Sequence, residues 1–314
     1  MKAISLGKNL LLITTFILSS LSLSAFSQEA ELLKDRCATR LSISILGKSA
    51  LPKLLESNDP QSMIDTLLED RRFIERFSRF INSEFNDEPG QNRLQDAPYF
   101  VVRHVLTNKL PYKNIFIGPY NISVPEGNNN VVVQDDPAGL GFFRIKAWMD
   151  RYAGNETDGY RLVAAYRMLN NVLGTHMIAT TNAPNTDLSA TGREAAGCRG
   201  CHYDAWFALD KIASVLSKVQ RDEDMNITYI DPDNTPKEVL GEFFVKNDKE
   251  LIETMVNSDE FAFNSCRLSF KFLYGRSENK SEAALFEQCM QSFKSSELIQ
   301  DALATIAKDK NFCQ

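Results

Sequence analysis

The stretch Ile64-Asp65-Thr66-Leu67-Leu68-Glu69-Asp70-Arg71-Arg72-Phe73-Ile74-Glu75-Arg76-Phe77-Ser78-Arg79-Phe80 decides the fold class of this 314-residue chain. Its apolar residues return at spacings of three and four, the period of a helix that buries one face, and the run extends from Met63 to Phe85. Glu69, Asp70, Arg71 and Arg72 fall between them and read as a solvated face. Similar patterns mark Leu51–Leu55, Tyr99–Leu110 before Pro111, Arg144–Arg151, Tyr160–Leu173 before Gly174, and Ala205–Val219. A C-terminal series follows: Pro236–Phe244, Asp248–Met255, Asp259–Tyr274, Ser281–Phe293 and Ser295–Lys308. Strand signals are confined to Ile115–Val124 and Val131–Val133, β-branched segments flanked by Pro119, Pro125 and the turn Gly127-Asn128-Asn129-Asn130. The expected fold is therefore mainly α with a short β-hairpin insertion.

One pentapeptide carries chemistry. In Cys198-Arg199-Gly200-Cys201-His202, two thiols three positions apart can form thioether bonds to the two vinyl groups of one haem, and the adjacent imidazole can ligate its iron. The motif occurs once, so one covalent haem c is expected, held by Cys198, Cys201 and His202. A thioredoxin-like redox pair would need a preceding strand in a βαβ unit, whereas Thr181–Gly197 reads as loop, with Pro184, Gly192 and Gly197. A zinc site would need further clustered ligands, and the other histidines, His104 and His176, lie in no such cluster. Ordinary disulfides at these cysteines are the remaining alternative. The context favours haem.

Haem c is attached outside the cytoplasm, and the N-terminus carries an export signature. Lys2 and Lys8 precede an apolar run from Leu10 to about Leu23, followed by Ala25-Phe26-Ser27 as a cleavage site. Residues 1–27 are read as a cleaved bacterial signal peptide, with the mature chain starting near Gln28 in the periplasm or beyond. No cysteine follows the apolar run before Cys37, which argues against a lipid anchor, and no stable membrane anchor is expected. Four cysteines remain, Cys37, Cys266, Cys289 and Cys313, an even number that suits two disulfides in an oxidising compartment. Three connectivities are open. Cys266 with Cys289 would bridge two helices around the Tyr274-Gly275-Arg276 turn, and Cys37 with Cys313 would tie the chain ends together.

The formal net charge is −6, and loss of Lys2 and Lys8 would make the mature chain more acidic. With no long basic block, nucleic acid is not an expected partner. The balance suits docking to a basic redox partner. No nucleophile elbow, His-Glu-x-x-His pair or phosphate loop is present, and Gly139-Leu140-Gly141 follows no strand of a βαβ unit.

The run Ala190-Thr191-Gly192-Arg193 leading to Cys198–His202, then Phe207-Ala208-Leu209-Asp210, resembles large secreted c-type cytochrome-like proteins of planctomycetes and proteobacteria. Gly139-Leu140-Gly141 with Arg151-Tyr152-Ala153-Gly154-Asn155 is similar to their segment before the haem. Ser258-Asp259-Glu260-Phe261 and Phe272-Leu273-Tyr274-Gly275-Arg276 resemble their C-terminal helices, and Leu67–Phe73 a segment of their N-terminal half. The resemblance implies an exported mono-haem protein and supplies no substrate. The chain divides accordingly into residues 28–135, helical with the hairpin, 136–220, binding haem c, and 237–314, a helical tail after a polar linker at Arg221–Pro236.

The iron's sixth position separates the functional readings. A second strong ligand favours electron transfer; an open position lets peroxide or oxygen bind. His176 or Met177 is the leading candidate distal ligand, followed by Met255, with Met225 in the linker. Arg193 could pair with a haem propionate, Tyr203, Trp206 and Phe207 could wall the porphyrin, and Tyr166 and Arg167 are candidate neighbours. The expected function is an exported mono-haem c-type cytochrome carrying single electrons to or from a redox partner protein or a small-molecule donor or acceptor. The alternatives are a haem-dependent peroxidase or oxygenase, and a binding or assembly protein in which haem is structural.

Overall fold

Asp70 splits the long periodic run in two. In a computed structural model, which describes residues 29–90, 94–127, 130–177 and 185–314, Ile64–Glu69 and Arg71–Phe85 are separate helices. Asp70 is extended between them, and its carboxylate accepts the Arg72 backbone N–H at 2.8 Å. A side chain that satisfies an orphan donor at a helix start competes with continuing the preceding helix. The expected signal segment, the start near Gln28, Asn128 and Asn129 of the expected turn, and residues 178–184 of the loop before the motif lie outside the described residues.

Phe73, Phe77, Ile81 and Phe85, four residues apart, are buried along one side of the Arg71–Phe85 helix. Phe73, Phe77 and Phe80 meet the ring of Phe272 at 6.0, 5.1 and 5.4 Å, which seats this N-terminal helix on the C-terminal helix Asp259–Tyr274. The latter keeps its expected limits because its ends are chemically marked. Ser258 accepts the Phe261 N–H, and Gly275 takes the left-handed conformation (φ +70°) that ends the helix. Tyr112 stacks on Phe261 and meets Phe293, and its N–H donates to the Glu297 carbonyl at 2.7 Å. The regions before and after the Cys198–His202 run thus share one hydrophobic core. Both suggested disulfides are formed: Cys266–Cys289 within the C-terminal helices, and Cys37–Cys313 joining the start of the described chain to its end.

The strand assignments need correction. Within Ile115–Val124, Asn114–Ile117 is a helical turn that buries Ile115 and Phe116 against Phe142 and Phe143; only Tyr120–Ser123 is extended, pairing antiparallel with Val132–Asp135. Core packing here overrides β-branching. Of Ala205–Val219, only Leu209–Ala213 is helical, because Val219 joins the strand Lys218–Arg221, which pairs with Ile227–Ile230. The polar linker is therefore partly a hairpin, its turn tied by Asp222, which accepts the N–H groups of Asp224 and Asn226. Pro236–Phe244 is not a helix either. Lys237–Val239 and Phe243–Val245 form a third hairpin, turned through Leu240 and Gly241 at φ of +52° and +81°.

The two disulfides should differ in weight. In the chain-entropy account, closing a 276-residue separation is worth about 5.5 kcal/mol and closing a 23-residue one about 3.5 kcal/mol. Urea melts of C37S/C313S and C266S/C289S should show the larger loss for the first pair; an equal or reversed order would refute the account.

Candidate haem-attachment site

The motif is carried on a helical stretch, which is why its spacing matters. The Asp187 carboxylate accepts the Ser189 N–H (2.9 Å) and the Ser189 hydroxyl accepts the Gly192 N–H (3.3 Å), nucleating one turn over Ala190–Arg193. Gly192 is required by space: a Cβ there would lie 2.2 Å from the Asp187 carbonyl oxygen. The chain then turns again so that the N–H groups of Cys198 and Arg199 donate to Ala195 O and that of His202 to Cys198 O, and Gly200–Asp204 forms a wide, π-type turn. Cys198 lies in the turn that leads into this stretch, and Cys201 and His202 lie within it. Cys198 is half-buried and Cys201 exposed, and both are free thiols, whereas the other four cysteines are bridged.

His202 is held from behind. Its Nδ1 lies 2.7 Å from Oδ2 of Asp210, on the short Leu209–Ala213 helix. With Asp210 ionised, Nδ1 carries the proton and donates it, which leaves the Nε2 lone pair free. Asp210 also accepts from Tyr203 Oη (3.2 Å) and from Arg193 Nε (3.0 Å) and Nη2 (2.7 Å). Arg193 is itself buried and reaches Asp158 and the Leu188 carbonyl. Burial alone would raise the Asp210 carboxyl, but the hydrogen bonds from His202 and Arg193 outweigh it and hold the group below the usual carboxylate range. Burial likewise opposes the charge on Arg193, and its two carboxylate partners reverse that and raise it above its ordinary value.

Asp158 reaches Arg193 because the chain beside it is tightly packed. Gly159 has φ +75°, its carbonyl accepts the Val219 N–H at 2.8 Å, and a Cβ would meet the Val219 oxygen at 2.4 Å. The strand Lys218–Arg221 is thereby pinned to the segment that carries Asp158.

Several sequence expectations are redirected. Arg193 has no free edge for a propionate, since all three guanidinium nitrogens are engaged within the protein. Tyr203 supports Asp210 rather than standing apart as a wall. Arg167 pairs with Asp87 and lies over the rings of Tyr152 and Tyr166, so it serves the body of the fold. Met255 is 0 % exposed in the core, while Met225 is 68 % exposed at the hairpin turn. His176 is exposed, its Nδ1 3.1 Å from the Asn170 amide, and Met177 is half-buried against the core beside the undescribed residues 178–184. Trp206 is 48 % exposed, edge-on to Phe207, and lies against Gly241 of the third hairpin, which also leaves Phe243 and Phe244 exposed.

Asp158 and Asp210 were not expected as site residues. Asp210 stood only in the acidic position of the Phe-Ala-Leu run, and Asp158 precedes the motif by a whole helix and loop. Comparison with known proteins gives no matching family model, no matching curated protein and no matching solved structure.

Arg193→Met should cost about 3–5 kcal/mol, because it strands buried carboxylates without their cation. A denaturant melt checks this; a loss below about 1 kcal/mol would show that the network is not a structural unit.

Proposed function

We propose that the chain is an exported mono-haem c-type cytochrome that carries single electrons, of the kind found among the secreted proteins it resembles. The observation that carries this reading is the donor set: two unbridged thiols and an imidazole at i, i+3 and i+4, with the imidazole's other nitrogen already bonded to a buried carboxylate. The residues fit haem c. Cys198 and Cys201 would hold it by thioethers, His202 Nε2 would ligate the iron, and exposed Trp206 beside the motif offers an apolar face to a porphyrin. When bound, haem supplies a one-electron iron couple.

The chain's own part is to orient and tune. Asp210 fixes the tautomer and ring plane of His202 by accepting the Nδ1 proton, and Arg193 and Tyr203 fix Asp210. A carboxylate on Nδ1 makes Nε2 more basic, which would lower the potential of an iron held there, and Arg193 moderates this by drawing charge from Asp210. Two disulfides among the described residues suit an oxidising compartment, and no described helix is long and apolar enough to cross a membrane. The electron partner is a redox protein or a small-molecule donor or acceptor.

The Asp210–His202 bond also favours a second reading, a haem-dependent peroxidase or oxygenase, because a His202 imidazole made electron-rich by Asp210 would support haem chemistry on a bound small molecule as well as electron transfer.

Expression alongside a cytochrome c maturation system, followed by denaturing electrophoresis with haem staining, should show one haem retained by the polypeptide and none in C198S/C201S. An unstained wild-type chain would refute the proposal. A ferric spectrum that is low-spin and indifferent to cyanide fits the carrier, with its distal ligand sought by H176A and M177A; a high-spin spectrum that shifts with cyanide or peroxide fits the enzyme. Asp210→Asn should raise the midpoint potential by on the order of 60–120 mV, the one-electron equivalent of the 10–100-fold effects typical of such outer partners. An unchanged potential would remove Asp210 from the tuning of the iron.

A further inference from the structure

A cleft away from the motif has a volume of about 1050 Å³ and is strongly cationic in a chain of net charge −6. Arg72, Arg76 and Arg79 line it from one stripe of the Arg71–Phe85 helix, with Arg71 at its start. Lys48, Arg103 and Lys271 close it from three other segments. The lining holds a single carboxylate, Glu75, already engaged by Arg79 and by the Tyr99 hydroxyl at 2.7 Å. Arg72 is paired with Asp70 and Lys271 with Glu84. Lys48, Arg71, Arg76 and Arg103 have no ion-pair partner among the described residues.

Arg76 is the most built of these. Its guanidinium lies 5.2 Å over the Phe272 ring, its Nε is buried without a hydrogen-bond partner, and burial lowers its affinity for the proton. Its Nη1 occupies the space a Cβ on Gly47 would fill, 2.7 Å away, and Gly47 has φ +67°. Arg79 lies similarly over Tyr99, at 5.4 Å. The rings, which also line the cleft, brace these guanidiniums, and a braced guanidinium keeps its fork geometry at little entropic cost when it binds an oxyanion. The volume exceeds what one phosphate would fill and lies in the range of small-molecule sites.

We infer that this cleft is a binding site for a compact multivalent oxyanion, one bearing several phosphate or carboxylate groups. Such groups supply the missing counter-charge to four unpaired cations, and bidentate contacts to Arg76 and Arg103 give the site its selectivity over simple salt. The ligand's source is either a free polyanion or the phosphate headgroups of a lipid surface.

Titration calorimetry of the full chain with inorganic tripolyphosphate and with citrate tests the first source, and cosedimentation with phosphatidylglycerol vesicles the second. Saturable binding, weakened at least about tenfold in R76Q/R103Q and unchanged in K146Q/K294Q, which removes the same charge elsewhere, supports the site. Saturable binding of tripolyphosphate or citrate assigns a free polyanion; binding to vesicles alone assigns the headgroup. No binding in either arm, or equal weakening in both double variants, overturns the inference. Arg76 and Arg103 leave no carboxylate stranded when removed; should R76Q/R103Q fail to give a native melting transition, K48Q/R103Q at the exposed rim carries the same criteria.

Discussion

Asp210 is buried, and a buried carboxylate is stable only where donors replace the water it has lost. Here Arg193, Tyr203 and His202 all donate to it. Each donor is fixed by another piece of the chain: Arg193 by the turn nucleated at Asp187 and Ser189 and by Asp158, Tyr203 and His202 by the wide turn Gly200–Asp204. The geometry of the Cys198–His202 motif therefore depends on an ion pair behind it. The motif supplies two thiols and an imidazole, and the network holds the imidazole.

Elements whose ends carry their own chemistry were legible in the sequence. Asp259–Tyr274 is marked by Ser258 and Gly275 and Asp248–Val256 by Asn247, whereas the even cysteine remainder left three pairings open, of which the fold forms Cys266–Cys289 and Cys37–Cys313. Short hairpins were not, because three or four extended residues leave too little period to read. Phe243 and Phe244 are both exposed, so their strand lacks the alternation that would announce it. The site divided in the same way. Cys198, Cys201 and His202 are local in sequence and stand out, whereas Asp158 and Asp210 acquire meaning only when the fold brings them to Arg193. A buried acid and a surface acid look alike in a sequence.

Charge gives a parallel case. The overall acidity and the lack of a basic block argue against a large anionic partner, yet folding gathers cations from four segments onto one wall. The arginines there are spaced by three and four, so in sequence they pass as the solvated side of an amphipathic helix. Net charge describes the far field of the molecule, and a cleft responds to its own walls. The donor set at the motif and the cationic cleft are separate features, and each is testable without the other.

The link between Cys37 and Cys313 has a consequence for how the molecule is made. A chain is synthesised from its N-terminus, so Cys37 appears long before its partner, and Cys198 and Cys201 appear in between. For most of synthesis the thiols nearest in time to Cys37 are the wrong ones. Correct maturation then becomes a matter of scheduling: either the motif's two thiols are consumed early by what they bind, or the first cysteine is kept reduced until the last turn of the protein arrives. The order of covalent events, as much as their energy, decides which molecule results.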